Sequence, residues 1–163
     1  MLRTFAFALG AAAAAPLLRA QNAGQPIEAQ PASGDRRTAL HQEIDLKASA
    51  AQVEGVLLDQ KQFSSFTRLP ATIDPREGGA FSLFGGLIVG RNVELVPATR
   101  IVQAWRPTHW APGVYSVVRF ALSANGGSTR VVLDHTGFPE GEYDHLYSGW
   151  NAHYWDPLKS LFA

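Results

Sequence analysis

Hydrophobic and polar positions change period twice along this chain, and the changes divide it into elements. Residues 37–47 alternate loosely, as a strand with one buried face does. Ser49, followed three residues later by Gln52, forms a capping-box pattern that opens a helix. Val53, Val56 and Leu57 supply its apolar face, and the helix is predicted to run to residue 58. A second short helix is predicted over residues 61–66, ending before Leu69-Pro70.

Strand signals then follow in succession. Residues 71–74 are short, and 80–84 lie between Gly78-Gly79 and Gly85-Gly86. Residues 87–96 stop at Pro97, and 100–106 stop at Pro107. Residues 114–124 run into Asn125-Gly126-Gly127-Ser128, and 129–136 follow directly. Closely spaced strands with glycine turns predict an antiparallel sheet. The last hairpin can be registered from its pattern. With Ala124 opposite Thr129, the pairs Leu122–Val131, Phe120–Leu133 and Val118–His135 share one apolar face. Arg119–Asp134 and Ser123–Arg130 share the other, solvated face.

After Pro139 the period lengthens. Tyr143, Leu146, Tyr147, Trp150, Tyr154, Leu158 and Leu161 recur at three- and four-residue steps, which predicts a long amphipathic helix with an aromatic stripe. Pro157 falls inside it and predicts a kink. A sheet with one apolar face needs a cover, and this helix is the obvious one. The fold class is therefore α+β: a curved antiparallel sheet wrapped around a C-terminal helix.

The ends add a second expectation. Met1-Leu2-Arg3, an apolar run to Ala15, and Leu18-Arg19-Ala20 follow the order of a secretory signal peptide. The run is too short for a comfortable membrane span. The expected organisation is a signal at 1–20, a flexible linker at 21–36 rich in Gln, Ala, Pro, Gly and Ser, and one domain over 37–163. An exported location, periplasmic or secreted, follows, with no stable membrane insertion after cleavage. The sequence contains no cysteine, which excludes disulfides, thiolate catalysis and cysteine metal sites. Its formal charge is zero, which gives no electrostatic case for a nucleic-acid partner.

A set of short segments stands in a characteristic order along the body of the chain. They are Gly78-Gly79-Ala80-Phe81-Ser82, Gly90, Glu94-Leu95-Val96-Pro97 and Ile101-Val102-Gln103-Ala104-Trp105-Arg106, then Trp110, Tyr115-Ser116, Gly127-Ser128-Thr129, Gly137-Phe138-Pro139, Gly149-Trp150 and Tyr154-Trp155. In this order and spacing the chain resembles the C-terminal domain of the activator of the heat-shock-protein-90 ATPase and its bacterial SRPBCC relatives. The resemblance covers residues 38–162. It implies the helix-grip fold of START and pollen-allergen-like domains, which often hold hydrophobic ligands between sheet and helix. It also implies a possible chaperone connection, and it carries no catalytic signature.

Most of the residues that could carry chemistry have structural roles. The paired glycines flank a strand rather than lead into a helix, so they read as turns and not as a phosphate loop. His145 and His153 share a predicted helical face, but a zinc site needs three or four converging ligands. Ser116, Asp134 and His135 do not make a triad, because neighbours in a strand point to opposite faces. His135 faces inward and reads as a hydrogen-bonded core histidine or a polar anchor. No catalytic residue, metal ligand or cofactor is assigned. The function expected is an exported, non-catalytic protein that binds a small hydrophobic molecule. Its expected ligand-binding residues are Phe81, Gln103, Trp105, Val118, Phe120, Leu133, His135, Trp150 and Tyr154. A protein-interaction module with a protein partner, and an enzyme acting on a hydrophobic substrate in the same cavity, are the alternatives.

Overall fold

The computed structural model describes residues 34–163. The expected signal and most of the expected linker lie outside the described residues. The last linker positions lie against the body: the backbone N–H of Gly141 donates to the Asp35 carbonyl at 2.8 Å.

Seven strands form a single antiparallel sheet: β1 (Ala39–Leu46), β2 (Thr72–Ile73), β3 (Ala80–Leu83), β4 (Ile88–Val96), β5 (Arg100–Pro107), β6 (Ser116–Asn125) and β7 (Ser128–Thr136). Their order is β1-β7-β6-β5-β4-β3-β2. Strands two to seven form a meander, and β1 closes onto β7. Helices α1 (Ala50–Leu58) and α2 (Gln60–Thr67) connect β1 to β2. A short 3-10 turn, Phe84–Gly86, joins β3 to β4. The C-terminal helix comprises α3 (Tyr143–Trp150), a π turn (Asn151–Trp155) and α4 (Asp156–Leu161).

Local chemistry explains these boundaries. Both halves of the predicted capping box at Ser49 and Gln52 form, so two orphan donors of α1 are satisfied reciprocally. Asp59 ends α1 and caps α2, accepting from the N–H groups of Lys61 and Gln62. The β6–β7 hairpin has the predicted register, with Ala124 opposite Thr129 and Val118 opposite His135. Its outer face carries the predicted Arg119–Asp134 pair, and Asp134 also bonds His41 on β1.

The C-terminal helix departs from expectation. In place of a kink at Pro157, the chain widens for one turn, and the Asp156 N–H reaches back to the Asn151 carbonyl. Dihedral angles stay helical through the junction, with Asn151 at φ −63°, ψ −55° and Asp156 at φ −65°, ψ −45°. Pro157 then falls in the first turn of α4, where a missing N–H costs nothing. The wider turn also re-aims the stripe. Trp155, absent from the three-and-four pattern, is buried to within 1 % of its surface, while Tyr147 and Leu161 are exposed.

One close approach positions the sheet's inner face. Gly90 on β4 lies opposite both Phe81 and Trp105. A Cβ there would stand 2.3 Å from the Phe81 ring and 2.2 Å from the Ala104 carbonyl oxygen. The backbone contact cannot relax by a side-chain rotation. Gly90→Ala is therefore expected to destabilise the fold by about 1–3 kcal/mol, as overpacking does, read as a lower urea midpoint with an unchanged slope.

Candidate functional site

The interior between sheet and helix is filled by aromatic rings. Trp105 of β5 stacks on Trp150 of α3, with centroids 4.8 Å apart and planes at 25°. Tyr154 meets Trp150 at 4.5 Å, and Phe63, Phe66 and Phe84 close around Tyr154 at 5.8, 6.1 and 5.5 Å. Buried indole N–H groups need acceptors, and the sheet supplies them. Trp105 Nε1 donates to Gln103 Oε1 at 2.9 Å, and Gln103 Nε2 donates to Asn92 Oδ1 at 2.9 Å. Trp155 Nε1 donates to Gln42 Oε1.

His135 is the polar centre of this interior and is completely buried. Trp150 Nε1 donates to His135 Nδ1 at 3.1 Å. An indole can only donate, so Nδ1 is the acceptor and the ring proton sits on Nε2. Nε2–H therefore donates to Ser116 Oγ at 2.7 Å, and the Ser116 hydroxyl donates in turn to the Trp105 carbonyl oxygen at 3.4 Å. A serine nucleophile needs the reverse, with its hydroxyl donating to the imidazole. Asp134 lies on the opposite face with Arg119 and His41, so no carboxylate orients the ring. The sequence excluded the triad for the Asp134–His135 geometry. It did not reveal the Ser116–His135 contact, which runs between positions nineteen apart.

Two open sites lie between sheet and helix among the described residues: a polar groove of about 420 Å³ along β1, lined by residues 41–44, Tyr147, Asn151, Trp155 and Lys159, and an apolar cleft of about 380 Å³ toward β4 and β5. The apolar cleft is the candidate site. Its floor holds Trp105, Trp150 and Tyr154. Phe84, Leu87, Ile88 and Pro107 form the sheet side, and His145, Gly149 and His153 form a stripe along the helix. Thr108 and His109 complete its rim, and exposed Leu69 and Leu87 stand at the mouth. No Asp, Glu, Lys or Arg lines it. Of the nine expected ligand-binding residues, Trp105, Trp150 and Tyr154 lie on this cleft. Phe81, Gln103, Val118, Phe120, Leu133 and His135 sit in the closed interior behind it. Among the described residues no cluster of three His, Asp or Glu side chains is arranged to hold a metal ion. None of their helices is long and apolar enough to cross a membrane.

Gly149 is the site residue that sequence reasoning missed. A glycine in mid-helix is about 1 kcal/mol less favourable than alanine, which is itself a signal. A Cβ at Gly149 would meet no atom within 4 Å. The position is open because it faces the cleft.

Burial pushes the His135 imidazole down to about 3 from its usual 6.5. The folded state thus keeps this ring neutral where the unfolded chain protonates it. Stability from this group is full above pH 6.5 and falls as pH drops toward 3, by about 1.4 kcal/mol per unit. The carboxylates held low by arginines, such as Asp45 and Asp74, add the same sign only at more acid pH. Urea unfolding between pH 7 and 5 is expected to show this slope, and His135→Gln to flatten it.

The geometry has counterparts among known proteins. Residues 47–163 match the family model described as "Activator of Hsp90 ATPase homolog 1-like protein". The activator of 90 kDa heat shock protein ATPase homolog of Dictyostelium discoideum is 34% identical over 120 residues, covering 73% of this chain and 31% of that protein. The human homolog 1 is 28% identical over 115 residues, covering 71% and 34%. The chain thus spans about a third of the length of these curated relatives. In fold, it is similar to an HSP90 activator from Plasmodium falciparum, with TM-score 0.73 and 22% identity over 77% of this chain and 96% of that one. It is also similar to CalU16 from Micromonospora echinospora, with TM-score 0.66 and 23% identity over 79% and 83%. By the family match over most of its length, together with the curved sheet and covering helix, this chain belongs to the Activator of Hsp90 ATPase homolog 1-like family.

Proposed function

We propose that this protein is a non-catalytic binding module that takes a small hydrophobic molecule in the cleft between its sheet and C-terminal helix. The observation that carries this reading is the gap at Gly149. The helix gives up side-chain packing in its middle and presents open space to an apolar, aromatic-walled cleft. A volume of about 380 Å³ falls at the lower end of the roughly 300–1,000 Å³ typical of small-molecule sites. The buried Ser116–His135 pair has the wrong proton polarity for nucleophilic attack, which favours binding over turnover. Export remains part of the reading and rests on residues 1–20 alone.

A protein-interaction role is the second reading. The exposed side chains of Leu87 and Leu69 at the cleft mouth favour it, and so do relatives that are named as activators of a chaperone ATPase. It requires the chain and such a chaperone to share a compartment.

Native mass spectrometry separates the two. The full chain, exposed to a lipid extract, is expected to carry an extra mass that is lost on denaturation. Gly149→Leu should remove that mass while the unfolding midpoint holds or rises, because leucine is the better helix former. A bare wild-type chain after such exposure would end the small-molecule reading. In that case Leu87→Asp, assayed for binding to a purified Hsp90-type chaperone, becomes the deciding measurement.

A further inference from the structure

Tyr154 leaves a donor unused at the bottom of the cleft. Its side chain lines the cleft and is buried to within 3 % of its surface. Six other aromatic side chains surround it, Phe63, Phe66, Phe84, Trp105, Trp150 and Trp155. Yet among the described residues its hydroxyl makes no hydrogen bond, whereas Trp105, Trp150 and Trp155 each place their indole N–H on an acceptor. The one fully occluded side-chain polar atom without a partner is Trp110 Nε1, which lies away from the cleft lining. The Tyr154 hydroxyl is therefore not sealed in the core. It meets accessible space, and the space that Tyr154 lines is the cleft.

We propose that the cleft takes an uncharged, flat, largely aromatic molecule whose buried end carries a carbonyl or similar acceptor, held by the Tyr154 hydroxyl. This rests on the cleft being the ligand site. Three features select the class. Phe84, Trp105, Trp150 and Tyr154 give the cleft an aromatic lining, against which a flat aromatic body packs at ring faces and edges. Burial pushes the Tyr154 phenol well above its ordinary range, so it remains a proton donor and seeks an acceptor. No lysine or arginine lines the cleft to compensate a carboxylate buried at that depth. The histidines lie along the helix and at the rim, where a polar group would stay in water.

The test uses three probes of nearly one shape on the full chain: 2-acetylnaphthalene, 2-isopropylnaphthalene and 2-naphthoate, with affinities from calorimetry or tryptophan fluorescence. The ketone is expected to bind about five- to tenfold more tightly than the hydrocarbon, the worth of one hydrogen bond. The carboxylate should bind most weakly. Tyr154→Phe removes only the hydroxyl and should bring the ketone-to-hydrocarbon affinity ratio down to about one, while the unfolding midpoint holds or rises. Gly149→Leu should weaken all three probes together.

The failures are distinct. If no probe binds, or if Gly149→Leu affects none, the cleft is not the ligand site and both readings fall. If Gly149→Leu abolishes binding but Tyr154→Phe leaves the ketone preference intact, the cleft stands and the anchor is overturned. If 2-naphthoate binds best, the rim imidazoles set the ligand class and the uncharged carbonyl is overturned.

Discussion

The fold depends on two indole hydrogen bonds that fix the C-terminal helix over the sheet. Trp150 reaches His135 on β7, and Trp155 reaches Gln42 on β1. In a regular α-helix, residues five apart point about 140° away from each other, so both could not face one sheet. The π turn between them removes that conflict. It also keeps Tyr154 inward, so three consecutive contacts of the helix are set by one widened turn. Pro157 is compatible with this because it begins the following α-helical segment rather than interrupting one.

The same constraint explains where the cleft lies. Trp150 and Trp155 fill the space over the sheet's middle, and only a polar surface groove is left along β1. Toward β4 and the end of β5 the helix presents His145, Gly149 and His153 instead. His153 meets Phe84 at 6.0 Å, but Gly149 between the two histidines projects nothing, and space remains there. The closed core and the open cleft are consequences of which helix positions carry bulk. The π turn decides which positions those are.

Much of the architecture was legible in the residues. The order of elements, the Ser49–Gln52 cap and the full register of the last hairpin follow from period-two alternation and turn chemistry, both local signals. The likeness of Gly78–Pro97, Ile101–Arg106 and the Gly149-Trp150 region to the Hsp90-activator family led to the same fold. The site was less legible, because its geometry depends on where the helix settles. Trp155 and Tyr147 exchanged places relative to the α-helical pattern, since a three-and-four count assumes an unbroken α-helix and the π turn at Asn151–Trp155 shifts every later position. Of the nine residues expected to touch a ligand, the three on the helix-facing rim of β5 and on the helix itself border open space. The six deeper ones have their surfaces taken up by neighbouring side chains and polar partners.

Gly149 and Tyr154 show why a filled core and a binding site are compatible here. A helix that only had to cover a sheet would gain from a side chain at position 149 and from phenylalanine at 154. The glycine forgoes helix propensity, and the tyrosine presents to the cleft a hydroxyl for which the described residues supply no partner. The two lie about one turn apart and open onto the same cleft. Two local disadvantages that face one space have a common account if something else occupies it: an apolar body to fill the gap at Gly149, and an acceptor to meet the phenol.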